Sequence, residues 1–151
     1  MSATGLDVFD RRLQTPHIWL DEIMAEMGPK RQNAWHLLGP MLRTVRDRLP
    51  LDLAAHLGSQ LPLLLHGAYF DQYKPSAAPE RIRSFDEFLD RIKGRMEFVP
   101  PVDARDALRV VCGVLDRHVD AGQTVKVWEA LPEEIRRVAE PQQVWRHGRR
   151  R

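Results

Sequence analysis

Apolar residues recur three and four positions apart along most of the chain, with polar residues between them, which is the periodicity of helices that bury one face. Trp19, Leu20, Ile23 and Met27 form the first clear stripe. Thr15 is placed to cap its start, Pro16 fits the first helical position, and Gly28-Pro29 ends it. Ahead of it, Leu6, Phe9 and Leu13 predict a short lead-in helix reaching about Gln14. A second helix is expected from about Lys30 to Leu49, burying Ala34, Leu38, Met41, Leu42, Val45 and Leu49. Gly39-Pro40 lies inside it, and a proline there removes one backbone hydrogen bond and crowds the preceding turn, so a kink or a break is expected. Leu51 to about Gly58 reads as a short third helix with Leu53, Ala54 and Leu57 inward. Pro62 opens a fourth, Leu63 to about Phe70, the most apolar segment of the chain.

The pattern lapses between Asp71 and Arg83, where proline, serine and alanine predict a linker. It resumes at Ser84-Phe85-Asp86-Glu87, a capping box in which Ser84 and Glu87 can each bond the other's backbone N–H. From there the chain echoes itself at one fixed offset. Thr15 falls on Ser84, Trp19-Leu20-Asp21 on Phe88-Leu89-Asp90, Ile23 on Ile92, Met27 on Met96, Met41-Leu42 on Val110-Val111, and Asp47-Arg48 on Asp116-Arg117. One residue is then gained before Leu131-Pro132, which answers Leu61-Pro62. The expected second copy runs from Phe85 to about Met96, Asp103 to His118, Ala121 to Ala130 and Pro132 to about Ala139. No alternating run long enough for a strand exists, so the expected fold is all-α, about eight helices in two tandem similar bundles related by internal duplication. The expected divisions are 1–74 for the first repeat with its lead-in, 75–83 for the linker, 84–141 for the second repeat and 142–151 for a basic tail.

Composition supports a folded domain of ordinary size. At 151 residues and 43% hydrophobic, the chain can remove about 70% of its unfolded surface from water. Its single cysteine, Cys112, excludes an intramolecular disulfide and fits a reducing compartment. MSATGLDVFDRR carries acidic residues where a secretory leader needs an apolar core, and no window of eighteen apolar residues occurs, so a cytoplasmic location without a membrane span is expected. The formal charge of +2 resides in the tail, because Arg146, Arg149, Arg150 and Arg151 lie within the last six residues. Without them the sign reverses and the body is near neutral.

Signatures of catalysis are missing from the sequence. It holds no HExxH, CxxC or Glu-x-x-His pattern, and Asp52 with His56, or Asp116 with His118 and Asp120, reads as ordinary charge at helix ends. Cys112 sits in an apolar run, where a buried inert thiol is expected. There is no phosphate-cradling glycine loop. No catalytic, cofactor-binding or metal-binding residue is therefore expected, and the protein is read as non-enzymatic.

Two binding classes remain, and a weaker third. Ser59-Gln60-Leu61-Pro62 could join a helix-turn-helix, but Leu63-Leu64-Leu65 is the wrong surface for reading base edges. A nucleic-acid role would fall to the tail residues Arg146, Arg149, Arg150 and Arg151, as a salt-sensitive attraction. For protein interaction, Leu63-Leu64-Leu65 is expected to form either the seam between the two copies or a groove or homodimer patch. That patch would be rimmed by His66, Tyr69, Tyr73 and Lys74, with Phe70 adding apolar surface and Gly67 admitting another backbone. A small-molecule or lipid pocket between the copies is the third reading.

The opening SATGLDVFDRRLQ, then WLDEIMAEMG, RDRLPLDLAAHLGSQLPLLLHGAYFDQYKP and FDEFLDRI, resemble the bacterial domain of unknown function 2267 (DUF2267). The resemblance runs from Ser2 to about Val138, with RLP, AAHLGSQLP, Gly67 and Tyr69 as its landmarks. It implies an all-helical fold of duplicated helix groups in a small bacterial cytoplasmic protein, and no established activity comes with it. Two positions depart from the pattern: His66 stands where arginine is expected, and Gly39-Pro40 interrupts a usually continuous helix. The expected function is a non-enzymatic interaction or scaffold module with a protein partner or a second copy, with a nucleic-acid-associated regulatory protein as the alternative.

Overall fold

A computed structural model describes residues 17–28, 31–96 and 103–139. Among the described residues there are eight α-helices and no strand. They are α1 (17–27), α2 (Arg31–Arg48), α3 (Leu51–Ser59), α4 (Leu63–Phe70), α5 (Phe85–Arg95), α6 (Ala104–His118), α7 (Ala121–Ala130) and α8 (Glu133–Ala139). The expected lead-in helix, the Thr15-Pro16 start and the arginines of the tail lie outside the described residues.

The helix ends follow from local chemistry. Gly28 leaves α1 with φ +121°, a backbone region that disfavours side chains, while its N–H returns to the Met24 carbonyl. Prolines 50 and 62 precede α3 and α4. Asp103 caps α6 by accepting from the N–H groups of Arg105 and Asp106, and Asp120 caps α7 by accepting from Gln123. At α5 the Ser84 hydroxyl accepts from the Glu87 N–H at 3.2 Å, as the capping box requires. The return bond is displaced, since the Glu87 carboxylate accepts from Arg83, and Glu134 of α8 accepts from Phe85 at 2.9 Å.

α2 is the axis of the fold, packing on α4, α5 and α6, while α3 rests on α4 and α7. Ala34, Leu38, Met41, Leu42, Val45 and Leu49 are all buried, as their spacing predicted. They join a single core cluster with Trp19, Ile23, Phe88, Ile92, Val111, Val127 and Ile135, so both halves of the chain share one interior. Of the kink or break expected at Gly39-Pro40, the break does not occur: α2 runs unbroken through Pro40. One proline deletes one backbone donor, whereas Leu37, Leu38, Met41 and Leu42, each no more than 2% exposed, pin the helix on both sides of it. The Thr44 hydroxyl also donates back to the Pro40 carbonyl at 2.7 Å.

The triple leucine of α4 is not the junction between the halves. Leu65 is buried, but Leu63 and Leu64 are 53% and 45% exposed, and α4 packs on α2 and α3 within its own half. The halves meet instead through α2 on α5 and α6 and through α3 on α7. Residues 75–83, expected as a linker, are fastened to α2 at Glu80 and Ile82. The Glu80 N–H donates to the Asp47 carbonyl at 2.7 Å, Arg48 Nε donates to the Ile82 carbonyl at 2.9 Å, and Ile82 is 1% exposed.

Candidate functional site

α4 is only eight residues long, and Leu65 and Tyr69, four apart, take its inward face. Leu63 and Leu64 are thereby turned out of the core. They form one wall of a groove of about 630 Å³ whose other wall is the Trp35, Gly39, Pro40 and Arg43 side of α2, with His36, Asp71, Arg95 and Met96 also in the lining. Gly67 opens onto the same groove, and a Cβ there would meet nothing within 4 Å. The lining is thus largely apolar, and its polar side chains are Arg43, Arg95, Asp71 and His36.

Arg43 is the unusual residue. Its side chain folds back over Gly39, where a Cβ would lie 3.3 Å from Nη1, so the glycine provides the seat for the guanidinium. Nη1 donates to the Ala68 carbonyl at 3.3 Å, and no carboxylate among the described residues lies within ion-pair distance. Burial holds its pKa below the ordinary arginine value, and the nearby Arg95 cation adds to the effect while Asp71 opposes it.

Arg95 and Arg46, by contrast, are engaged. Asp47 Oδ2 accepts from Arg95 Nη2 at 2.5 Å, and Oδ1 accepts from Arg46 Nε at 2.9 Å. Arg46, 2% exposed, also donates to the carbonyls of Tyr69 and Asp71 at 2.6 and 2.7 Å and lies 4.9 Å from the Tyr73 ring centroid. Arg95 donates further to the Thr44 hydroxyl at 3.1 Å. Beyond Arg95 is a second, more polar hollow of about 490 Å³ bordered by Asp47, Gln72, Tyr73, Lys74 and Glu80.

The six residues expected to form an interaction surface are dispersed. Tyr69 is fully buried, its hydroxyl donating to the Ala54 carbonyl at 2.7 Å, and burial pushes its phenol well above the ordinary value. It belongs to the core and not to a rim, because the hydroxyl finds a partner inside. His66 Nδ1 bonds the Gly58 carbonyl at 2.8 Å, and Phe70 packs edge-on between His66 and Tyr69, so both face α3. Tyr73 stacks on Phe70 and, with exposed Lys74, borders the polar hollow. Only Gly67 stands in the groove with Leu63 and Leu64. Sequence reasoning missed Trp35, Arg43 and Arg95; the available signal was an arginine four residues after a helical glycine, between Leu42 and Thr44 in an otherwise buried stretch.

Three of the residues weighed for chemistry have other engagements. Asp116 accepts from the Thr124 hydroxyl at 3.3 Å, His118 meets the Glu22 carboxylate and stacks on Trp19 at 5.0 Å, and Asp120 caps α7. Asp52 and His56 are both exposed on α3. Among the described residues no three His, Cys, Asp or Glu side chains are grouped to hold a metal ion. Cys112 is fully buried, and burial, then the Asp116 charge, pushes its thiol up. No described helix is long and apolar enough to cross a membrane.

No curated protein matches the chain. A family model described as "Uncharacterized conserved protein (DUF2267)" matches residues 17–138. That span takes in the eight described helices, short only of the last residue of α8, and every residue of the groove, and the chain belongs to the DUF2267 family.

Proposed function

We propose that this protein is a non-enzymatic interaction module that receives an apolar segment of a partner protein in the groove between α2 and α4. The observation that carries the reading is the pair Leu63 and Leu64, adjacent, half exposed and forming a groove wall, on a helix whose other face is fully packed. Solvent-facing leucines side by side cost solubility and contribute nothing to this core.

We also propose that the halves descend from one duplicated unit. Equivalent positions are buried in both: Leu61 and Leu131, Leu65 and Ile135, Val45 and Val114, Ile23 and Ile92. Under that correspondence Leu63 and Leu64 align with Glu133 and Glu134. The two glutamates have structural employment, Glu133 pairing with Arg137 and Glu134 capping α5. The leucines have none, so the apolar wall is specific to the first half.

The test is a Leu63→Ser, Leu64→Ser double variant. Both sites are exposed, so stability should move by no more than about 0.5 kcal/mol per site. A partner recovered with the wild-type chain, identified and reconstituted from purified components, should lose the interaction with the variant. Equal binding by the two proteins would falsify the reading. Self-association that vanishes in the variant, read by sedimentation, would replace the partner with a second copy.

A further inference from the structure

Resting on that docking reading, we propose that Arg43 receives a carboxylate from the docked segment, so that the groove selects sequences in which Asp or Glu adjoins large apolar residues. Three independent features converge. The guanidinium lines the groove beside the leucine wall, and although Asp71 lines the same groove, no acid among the described residues lies within ion-pair distance of it. It is seated by Gly39, whose missing side chain leaves room for Nη1, Nη2 and Cζ within 3.3–3.7 Å of where a Cβ would be. Its neighbour Arg95 already spends its donors on Asp47 and Thr44, and adds positive potential without neutralising Arg43.

A half-buried arginine beside a second cation, which Asp71 offsets without an ion pair, can still gain from a closer counter-charge, and a carboxylate arriving with an apolar flank supplies it. The planar fork suits a carboxylate in a way that a lysine would not. In the proposed duplication, Leu108 and Cys112 occupy the places of Gly39 and Arg43, so the second half has neither the seat nor the cation. Gly39 thus makes space for the charge, and α2 runs on through Pro40 without breaking.

The experiment selects displayed random nine-residue peptides on the full-length chain. Enriched peptides should carry Asp or Glu next to Leu, Ile or Phe. One such peptide, synthesised and titrated by calorimetry, should bind Arg43→Gln at least about tenfold more weakly, the loss of one charge-assisted contact. Changing the peptide's acid to its amide should cost as much, and combining the two changes should cost little more. Arg43→Lys should fall between, and Gly39→Ala, which crowds the guanidinium, should weaken binding in the same direction. The melting temperature of Arg43→Gln should be unchanged or higher, because a merely structural arginine would lower it. Selection of apolar peptides without acids, or binding indifferent to Arg43→Gln, overturns the carboxylate inference while leaving the docking reading intact. Failure of every peptide to bind the wild-type chain overturns both. Arg43-dependent binding of decanoate without peptide binding assigns the groove to a small amphiphile and overturns the proposal.

Discussion

A methyl group at Gly58 would sit 2.8 Å from a Tyr69 ring carbon and closer still to Phe70. Both rings are hemmed in, so Gly58→Ala is expected to destabilise the fold by about 1–3 kcal/mol, read from urea unfolding. Tyr69→Phe should cost about 1 kcal/mol, the net value of the bond to Ala54. Tyr69→Ala should cost about 3–5 kcal/mol as a cavity change, so it reports on folding and not on partner binding. Cys112 gives a pH test. Burial raises the thiol, and raises Tyr69 and Tyr73 as well, so the folded state favours the neutral forms. Their contribution is complete below the pKa values of the free groups, ~8.5 for thiol and ~10 for phenol, and is lost as pH rises past them. Unfolding free energy should therefore decline above about pH 8.5, and the thiol should react with a disulfide reagent only in denaturant. Rapid labelling of the native protein would contradict the buried placement.

At the scale of elements, α2 carries the polar joints as well as the core. Asp47 is its hinge point: the carboxylate holds Arg46 and Arg95, and the backbone carbonyl accepts from Glu80, so one residue fastens α5 and the 75–83 strap to α2. Arg46 carries the connection on to the end of α4 through Tyr69 and Asp71. Asp47→Asn should cost about 3–5 kcal/mol in urea, because two guanidinium groups lose a buried counter-charge. Removing both Asp47 and Arg46 for apolar residues should recover part of that loss. The exposed pair of Arg137 with Glu133 is the contrast, worth at most about 1 kcal/mol.

At the scale of the whole molecule, one interior joins both halves, and the division of the chain at residues 75–83 leaves no gap in packing. Circular dichroism and tryptophan fluorescence should accordingly trace the same urea transition, since Trp19 lies in the first half of the core and Trp128 in the second. Residues 84–151 expressed alone should lack cooperative unfolding, because α6 and α7 would present to water the faces that α2 and α3 now cover. Two separate transitions would show that each half holds its own core.

The helical inventory was legible in the chain because it depends on near neighbours. Apolar spacing, Leu-Pro junctions and Asp or Ser caps act within a few residues, and α4 and α7 fall on their expected bounds. The break that local reading allowed at Pro40 did not form for the same reason: a local rule registers the lost hydrogen bond and not the leucines packed around it. Which apolar residues stay exposed was beyond local reading. Leu63, Leu64 and Leu65 are identical in sequence, and only the seat of α4 on α2 and α3 buries the third and leaves two outside. Tyr69 became core for want of any sequence sign that Ala54 would meet its hydroxyl. Arg43 became part of a groove because Arg95, fifty-two residues on, arrives beside it with its own charge already matched. Sequence by itself determined the helices, their ends and the family; tertiary structure alone decided the groove, since burial and unpaired charge are properties of contacts between distant residues.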